Sequence, residues 1–119
     1  MPISQFIKFL KDQPQKVSFD QAIQIINDNY DYTPSTFFNG LNEDKVTNEA
    51  GSNEGSCKIF AFGLTNELNK EETLSCFGDY YRNDVLKHPN SNDHANIRTF
   101  MIYGWAGIKF ENNALTEKS

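Results

Sequence analysis

The sequence holds only two cysteines in 119 residues, far apart and in no paired spacing. That excludes the disulfide scaffold on which small secreted domains rely. No apolar run approaches the roughly 18 residues that a membrane span requires. The start, Met1-Pro2-Ile3-Ser4-Gln5-Phe6, lacks the basic cluster and apolar stretch of a secretory signal. Basic residues are outnumbered: 11 Lys and Arg face 16 Asp and Glu, a formal charge of -5. Such a balance argues against nucleic acid, whose phosphates demand a basic footprint. It argues equally against anionic membrane surfaces. Phosphate loops, dinucleotide fingerprints and Gly-x-Ser-x-Gly elbows do not occur. No cofactor is implied, and the expected location is the cytoplasm, with reduced thiols.

What is present is aromatic bulk. Ten Phe are the natural core, since each buries a large apolar area. A chain of this length can bury that core without metal or disulfide. The expected fold class is α+β: a single compact domain, mainly helical, with a few short strands in a small sheet. The domain spans residues 1–111, and a polar tail follows over 112–119.

Ile3, Phe6, Ile7 and Leu10 recur at helical spacing, and Pro14 ends that helix. Ser18-Phe19-Asp20-Gln21 opens a second helix in the manner of a capping box. Residues 30–33 precede Pro34 and should be extended. Thr36-Phe37-Phe38 reads as a strand closed by the Asn39-Gly40 turn, able to pair with Ile108-Lys109-Phe110. Asn42 to Ser52 reads as an exposed loop. Residues 53–68 read as a central helix, apolar on more than one face, with Gly63 at a close crossing. Lys70 to His88 reads as a helix broken near Gly78, with Leu74, Phe77, Tyr81, Val85 and Leu86 facing inward. Asp93 is the expected cap for residues 95–103, a helix or a strand. The tail from Glu111 is expected to fray.

Three constellations carry candidate chemistry. Cys57 falls in the first turn of the central helix, where free N–H groups favour a thiolate. His94 is the matching base, Asp93 or Asn92 the orienter, and Asn53 an oxyanion donor. The plainer reading, a small packing residue on a core helix, outweighs this one. Cys57, Cys76, His88 and His94 are a conceivable ligand set, but no clip spacing holds any two of them, so no metal is expected. Lastly, Arg82, Asp84, Asp93, His94, Asn96 and Arg98 crowd one turn, and Tyr80, Tyr81 and Trp105 can line a cleft beside them. Arg98 can clamp a carboxylate or phosphate at two points. The plainer reading here is an internal network of ion pairs.

Larger blocks are more specific. Asn48-Glu49-Ala50-Gly51-Ser52-Asn53-Glu54-Gly55-Ser56-Cys57-Lys58-Ile59-Phe60-Ala61 resembles the central motif of the HopJ type III effector family. Thr73-Leu74-Ser75-Cys76-Phe77-Gly78-Asp79-Tyr80-Tyr81-Arg82 resembles a second block. Asp93-His94-Ala95-Asn96-Ile97-Arg98 with Gly104-Trp105, and the segment from Tyr32 to Gly40, add two more. The resemblance implies a small α+β protein, with no activity to transfer residue by residue. It also implies delivery into a host cell by a type III system as an alternative to the cytoplasm. The function expected is small-ligand or protein binding by the polar residues of these blocks: Asn53, Glu54, Ser56, Tyr81, Arg82, Asp93, Asn96, Arg98 and Trp105. The alternative is a thiol-dependent hydrolase or acyl-transfer enzyme using Cys57 and His94.

Overall fold

The protein is described by a computed structural model, covering residues 2–118. Its chain begins with the two helices that apolar spacing demands. Helix α1 (Ile3–Asp12) buries Phe6 and Leu10. Helix α2 (Phe19–Asn29) starts at Ser18, whose hydroxyl accepts the Gln21 N–H at 3.0 Å. It buries Ala22, Ile25 and Ile26 and runs directly into strand β1 (Tyr30–Tyr32).

Strand β2 (Phe37–Asn39) is the centre of a three-stranded antiparallel sheet, between β3 (Val46–Asn48) and β4 (Ile108–Phe110). Its pairing with residues 108–110 is the one expected. β3 is not: it lies within the stretch read as an exposed loop. Thr47 faces solvent and Val46 is half-buried, while Asn48 is fully buried. The frayed tail is also corrected. Residues Leu115–Glu117 form β5, which pairs antiparallel with β1, and Ala114 and Leu115 are buried.

Helix α3 (Glu54–Thr65) is the central element and buries Cys57, Ile59, Phe60, Ala61, Phe62 and Gly63. The Phe60 ring meets Phe37, Phe77, Phe100 and Trp105. A buried ring of this size is worth about 1.5–3 kcal/mol in transfer from water. Gly63 marks the close crossing. A Cβ there would lie 2.8 Å from the Trp105 ring and 2.9 Å from Thr73 Oγ1.

Helix α4 (Lys70–Ser75) is opened by a full capping box between Asn69 and Glu72. The chain then turns at Gly78, whose φ of +60° suits glycine. A π-helical turn follows over Tyr80–Val85, closed by the Leu86 N–H on Tyr81 O at 3.0 Å. The wider turn rotates Leu86 outward, where it is 47% exposed, so it is not part of the inner stripe. Helix α5 (Ala95–Tyr103) completes the helical layer and leads through a 3-10 turn into β4. His94, not Asp93, occupies its cap position. The result is an α+β domain with two small antiparallel sheets.

Candidate functional site

The first turns of α3 and α5 meet at one cleft. Asn53, Gly55 and Ser56 from the start of α3, and His94, Ala95, Asn96 and Ile97 from the start of α5, line a cavity of about 470 Å³. Both residues that precede these helices are left-handed: Asn53 has φ 50° and His94 has φ 52°. Neither side chain caps its own helix. The first N–H groups of a helix have no partner within it and carry partial positive charge. Here residues from two such first turns line the same cavity.

The side chains that would cap are engaged elsewhere. Asn53 donates its amide to Asn48 Oδ1 at 2.7 Å. Asn96 donates to the same oxygen at 2.8 Å, and Asn48 donates back to Asn96 Oδ1 at 3.1 Å. Asn39 donates to the Asn96 carbonyl at 2.8 Å and to its Oδ1 at 3.1 Å. These amides join β2, β3 and both helix starts. Asn39 and Asn48 are fully buried, and Asn39 Oδ1 has no partner within the protein. A buried polar network of this kind fixes geometry because each broken bond strands its partner.

The opposite wall is aromatic. Phe19 meets Tyr80 edge-on at 5.1 Å, and Tyr80 leans on the His94 ring at 5.2 Å. Phe77 and Val46 complete it. Phe19 sits in a seat formed by two glycines. A Cβ on Gly55 would lie 2.8 Å from its ring, and one on Gly78 would lie 2.6 Å from its backbone nitrogen. His94 Nε2 is 3.0 Å from Asp84 Oδ2 and 3.9 Å from Asp93 Oδ2, which ties the start of α5 to the π turn. A second cavity of about 480 Å³ lies beyond the Phe19–Tyr80 pair, against Ser18, Asp79 and Arg82.

Of the residues singled out in the sequence, Asn53, Ser56, His94 and Asn96 share this cleft, with Tyr80. The others are placed elsewhere. Glu54 has its carboxylate beside Tyr32, whose hydroxyl burial holds above its ordinary pKa. Tyr81 packs against the core, and burial raises its pKa too. Arg82 donates to the carbonyls of Pro14, Val17 and Ser75, strapping the α1–α2 connection to the π turn. Arg98 donates to Asp93 O and Oδ1, both at 2.6 Å. That bond holds the Asp93 carboxyl below the usual carboxylate range. Trp105 donates to Leu68 O at 2.8 Å and packs on Phe100 and Phe60. Phe19, Val46, Gly55, Phe77, Ala95 and Ile97 line the cleft without having been singled out for it.

The thiol lies apart from this cleft. Cys57 is 1% exposed, its Sγ is directed to Ser35 O at 3.8 Å, and it is not among the lining residues. Burial pushes its pKa up, opposite to the shift an activated nucleophile needs. His94 bonds to Asp84 instead. Among the described residues, no three His, Cys, Asp or Glu side chains are gathered to hold a metal. No described helix is long and apolar enough to cross a membrane.

No curated protein matches the chain. One solved structure, described as the crystal structure of unknown function protein VPA0580, is similar at 54% identity and a TM-score of 0.94. The similarity covers 99% of this chain and 95% of that one. The family model described as HopJ type III effector protein matches residues 3–115. The chain therefore belongs to the HopJ type III effector family.

Proposed function

We propose that this protein binds a small amphipathic anion in the cleft between the starts of α3 and α5. One observation carries the reading: two helix first turns, neither capped by a side chain, line one cavity. Helix N-termini attract carboxylates and phosphates through their free N–H groups and dipole. The Phe19, Phe77 and Tyr80 wall fits the apolar or aromatic body of such a ligand, and a cavity near 470 Å³ is within the usual range for small-molecule sites. The asparagine cluster beneath keeps both helix starts in register. The net charge of -5 makes a local anion site depend on these backbone groups.

Titration of the 15N-labelled protein with a panel of aromatic carboxylates and phosphate monoesters tests this. Amide signals of residues 54–56 and 95–97 are expected to move together and saturate. A Ser56→Asp variant places a negative charge in the first turn, which α3 tolerates, and should abolish the response. If no member of the panel moves either set of signals, the reading fails.

The family's description favours a second reading at the level of the cell, delivery through a type III system. Fusion of the first fifty or so residues to a secreted reporter decides it. Retention of the reporter in a strain with a working system would exclude delivery through an N-terminal signal.

A further inference from the structure

His94 is the only imidazole that lines the anion cleft, and imidazole is the side chain best suited to proton transfer near neutral pH. Its hydrogen bonds decide which ring nitrogen is free. Nε2 lies 3.0 Å from Asp84 Oδ2. An ionised carboxylate only accepts, so Nε2 carries the proton and the neutral ring keeps its lone pair on Nδ1. The side chain makes no cap bond to the first turn of α5, and Nδ1 has no other partner among the described residues.

The ring is also held in place. It leans on Tyr80 at 5.2 Å, and the side chain is 28% exposed. Asp93 Oδ2 is farther from Nε2, at 3.9 Å, and its Oδ1 is bound by Arg98 at 2.6 Å. Asp84 is therefore the carboxylate that fixes the tautomer. Neither Lys nor Arg lines the cleft. That suits the single negative charge of a tetrahedral intermediate better than a transferring phosphoryl group, which calls for several cationic partners.

We infer that His94 is a general base in this cleft and that the protein hydrolyses carboxylic esters of aromatic acids, an inference that rests on the anion reading above. The bound anion is then the product. A water molecule attacks the ester carbonyl carbon and gives a proton to Nδ1. The electron pair of the carbonyl moves onto its oxygen, beside the free N–H groups of the helix first turns. The carbonyl re-forms as the bond to the alcohol oxygen breaks, and the imidazolium returns its proton to that oxygen. Ester and water become acid and alcohol, and the acid ionises to the carboxylate that the cleft holds. Asp84 is a positioning residue, since it touches the ring and not the ester, and it faces the imidazolium while that lasts.

The full chain is tested with p-nitrophenyl esters of aromatic acids, read by release of p-nitrophenolate. His94→Gly suits the backbone, whose φ of 52° is left-handed. It should lower kcat about a hundredfold, and added imidazole should restore much of the loss. Asp84→Asn should lower kcat with KM unchanged, because its amide donates to Nε2 and leaves the proton on Nδ1. His88→Gln, at an exposed imidazole outside the cleft, should keep the wild-type rate. Aromatic carboxylates should still move the amide signals of residues 54–56 and 95–97 in His94→Gly, which also shows that the variant is folded. Equal turnover in wild type and His94→Gly, a loss that imidazole does not restore, or an equal loss in His88→Gln overturns the inference. So does wild type with no turnover above buffer, and if carboxylates still bind, the anion reading stands without it. Carboxylates that move neither set of signals in wild type remove the reading and the inference together.

Discussion

Asn48 and Asn96 exchange two amide hydrogen bonds, at 2.8 and 3.1 Å, between β3 and the first turn of α5. Asn53 and Asn39 attach to the same pair. Removing either central amide leaves buried polar groups without partners, which costs about 1–3 kcal/mol per stranded group. Asn96→Ala and Asn48→Ala are each expected to lower stability by about that much in urea denaturation. The double variant should lose less than the sum, because the two share bonds. Full additivity would show that the amides act separately and do not hold the helix starts as a unit.

The two thiols should be silent in the folded protein. Cys57 is 1% exposed and Cys76 is fully buried. Burial pushes the Cys76 pKa up to about 12, from an ordinary 9.0. A raised pKa favours folding while the thiol is protonated. That contribution is complete below pH 9 and is lost as the pH rises toward 12. Melting temperature should therefore fall over this window, and more steeply than in Cys76→Ala. A thiol reagent near neutral pH should label both cysteines at the rate of unfolding. Rapid labelling of Cys57 in the native protein would restore the activated nucleophile.

Gly63→Ala separates helix propensity from packing. Alanine in a helix is favoured by about 1 kcal/mol over glycine. Here the added methyl meets Trp105 and Thr73 at under 3 Å, and overpacking of a close core contact costs about 1–3 kcal/mol. Trp105 is held by its bond to Leu68 O and its contact with Phe100, so it cannot simply step aside. A net loss of stability is expected, with a changed Trp fluorescence spectrum. A gain would mean that the indole relocates freely.

Helices α1 to α4 were legible in the sequence because their apolar residues repeat at helical spacing, as Phe6 and Leu10 do in α1, whereas residues 95–103 read equally as helix or strand and form α5. β2 and β4 were legible because turn residues bound them. β3 and β5 were not, since three residues set no period and both lie in polar stretches. The π turn was hidden because Leu86 continues the apolar spacing of a regular helix. For the site, Asn53, Ser56, His94 and Asn96 were visible as a polar group flanking helix starts. Arg82, Arg98 and Trp105 were visible too, but their donors meet backbone or side-chain groups of the protein itself. Sequence alone does not distinguish such partners from a ligand. Phe19 read as a core residue, and only the glycine seat at Gly55 and Gly78 shows that it stands in the cleft wall.

The C-terminal strand gives the last prediction. Tyr30 faces Glu117 and Tyr32 faces Leu115 across the two-stranded sheet. The Thr33 N–H donates to Ala114 O at 2.8 Å, and the Lys118 N–H donates to Asn29 O at 3.0 Å. The Ser35 hydroxyl and the Asn112 backbone are bonded to each other as well. Leu115 is 3% exposed and Ala114 is 2% exposed, so this segment covers the side of the core where β1 lies. Losing the burial of Leu115 alone costs about 1.5–3 kcal/mol. Truncation after Glu111 also uncovers β1 as an unpaired edge, which invites aggregation. The truncated chain should show a clearly lower urea midpoint and concentration-dependent aggregation. Leu115→Ala in the full chain should lose about 2–5 kcal/mol while remaining monodisperse, because its edge stays paired. A truncated chain with an unchanged midpoint would mean that β5 is an ornament on a core that is already closed.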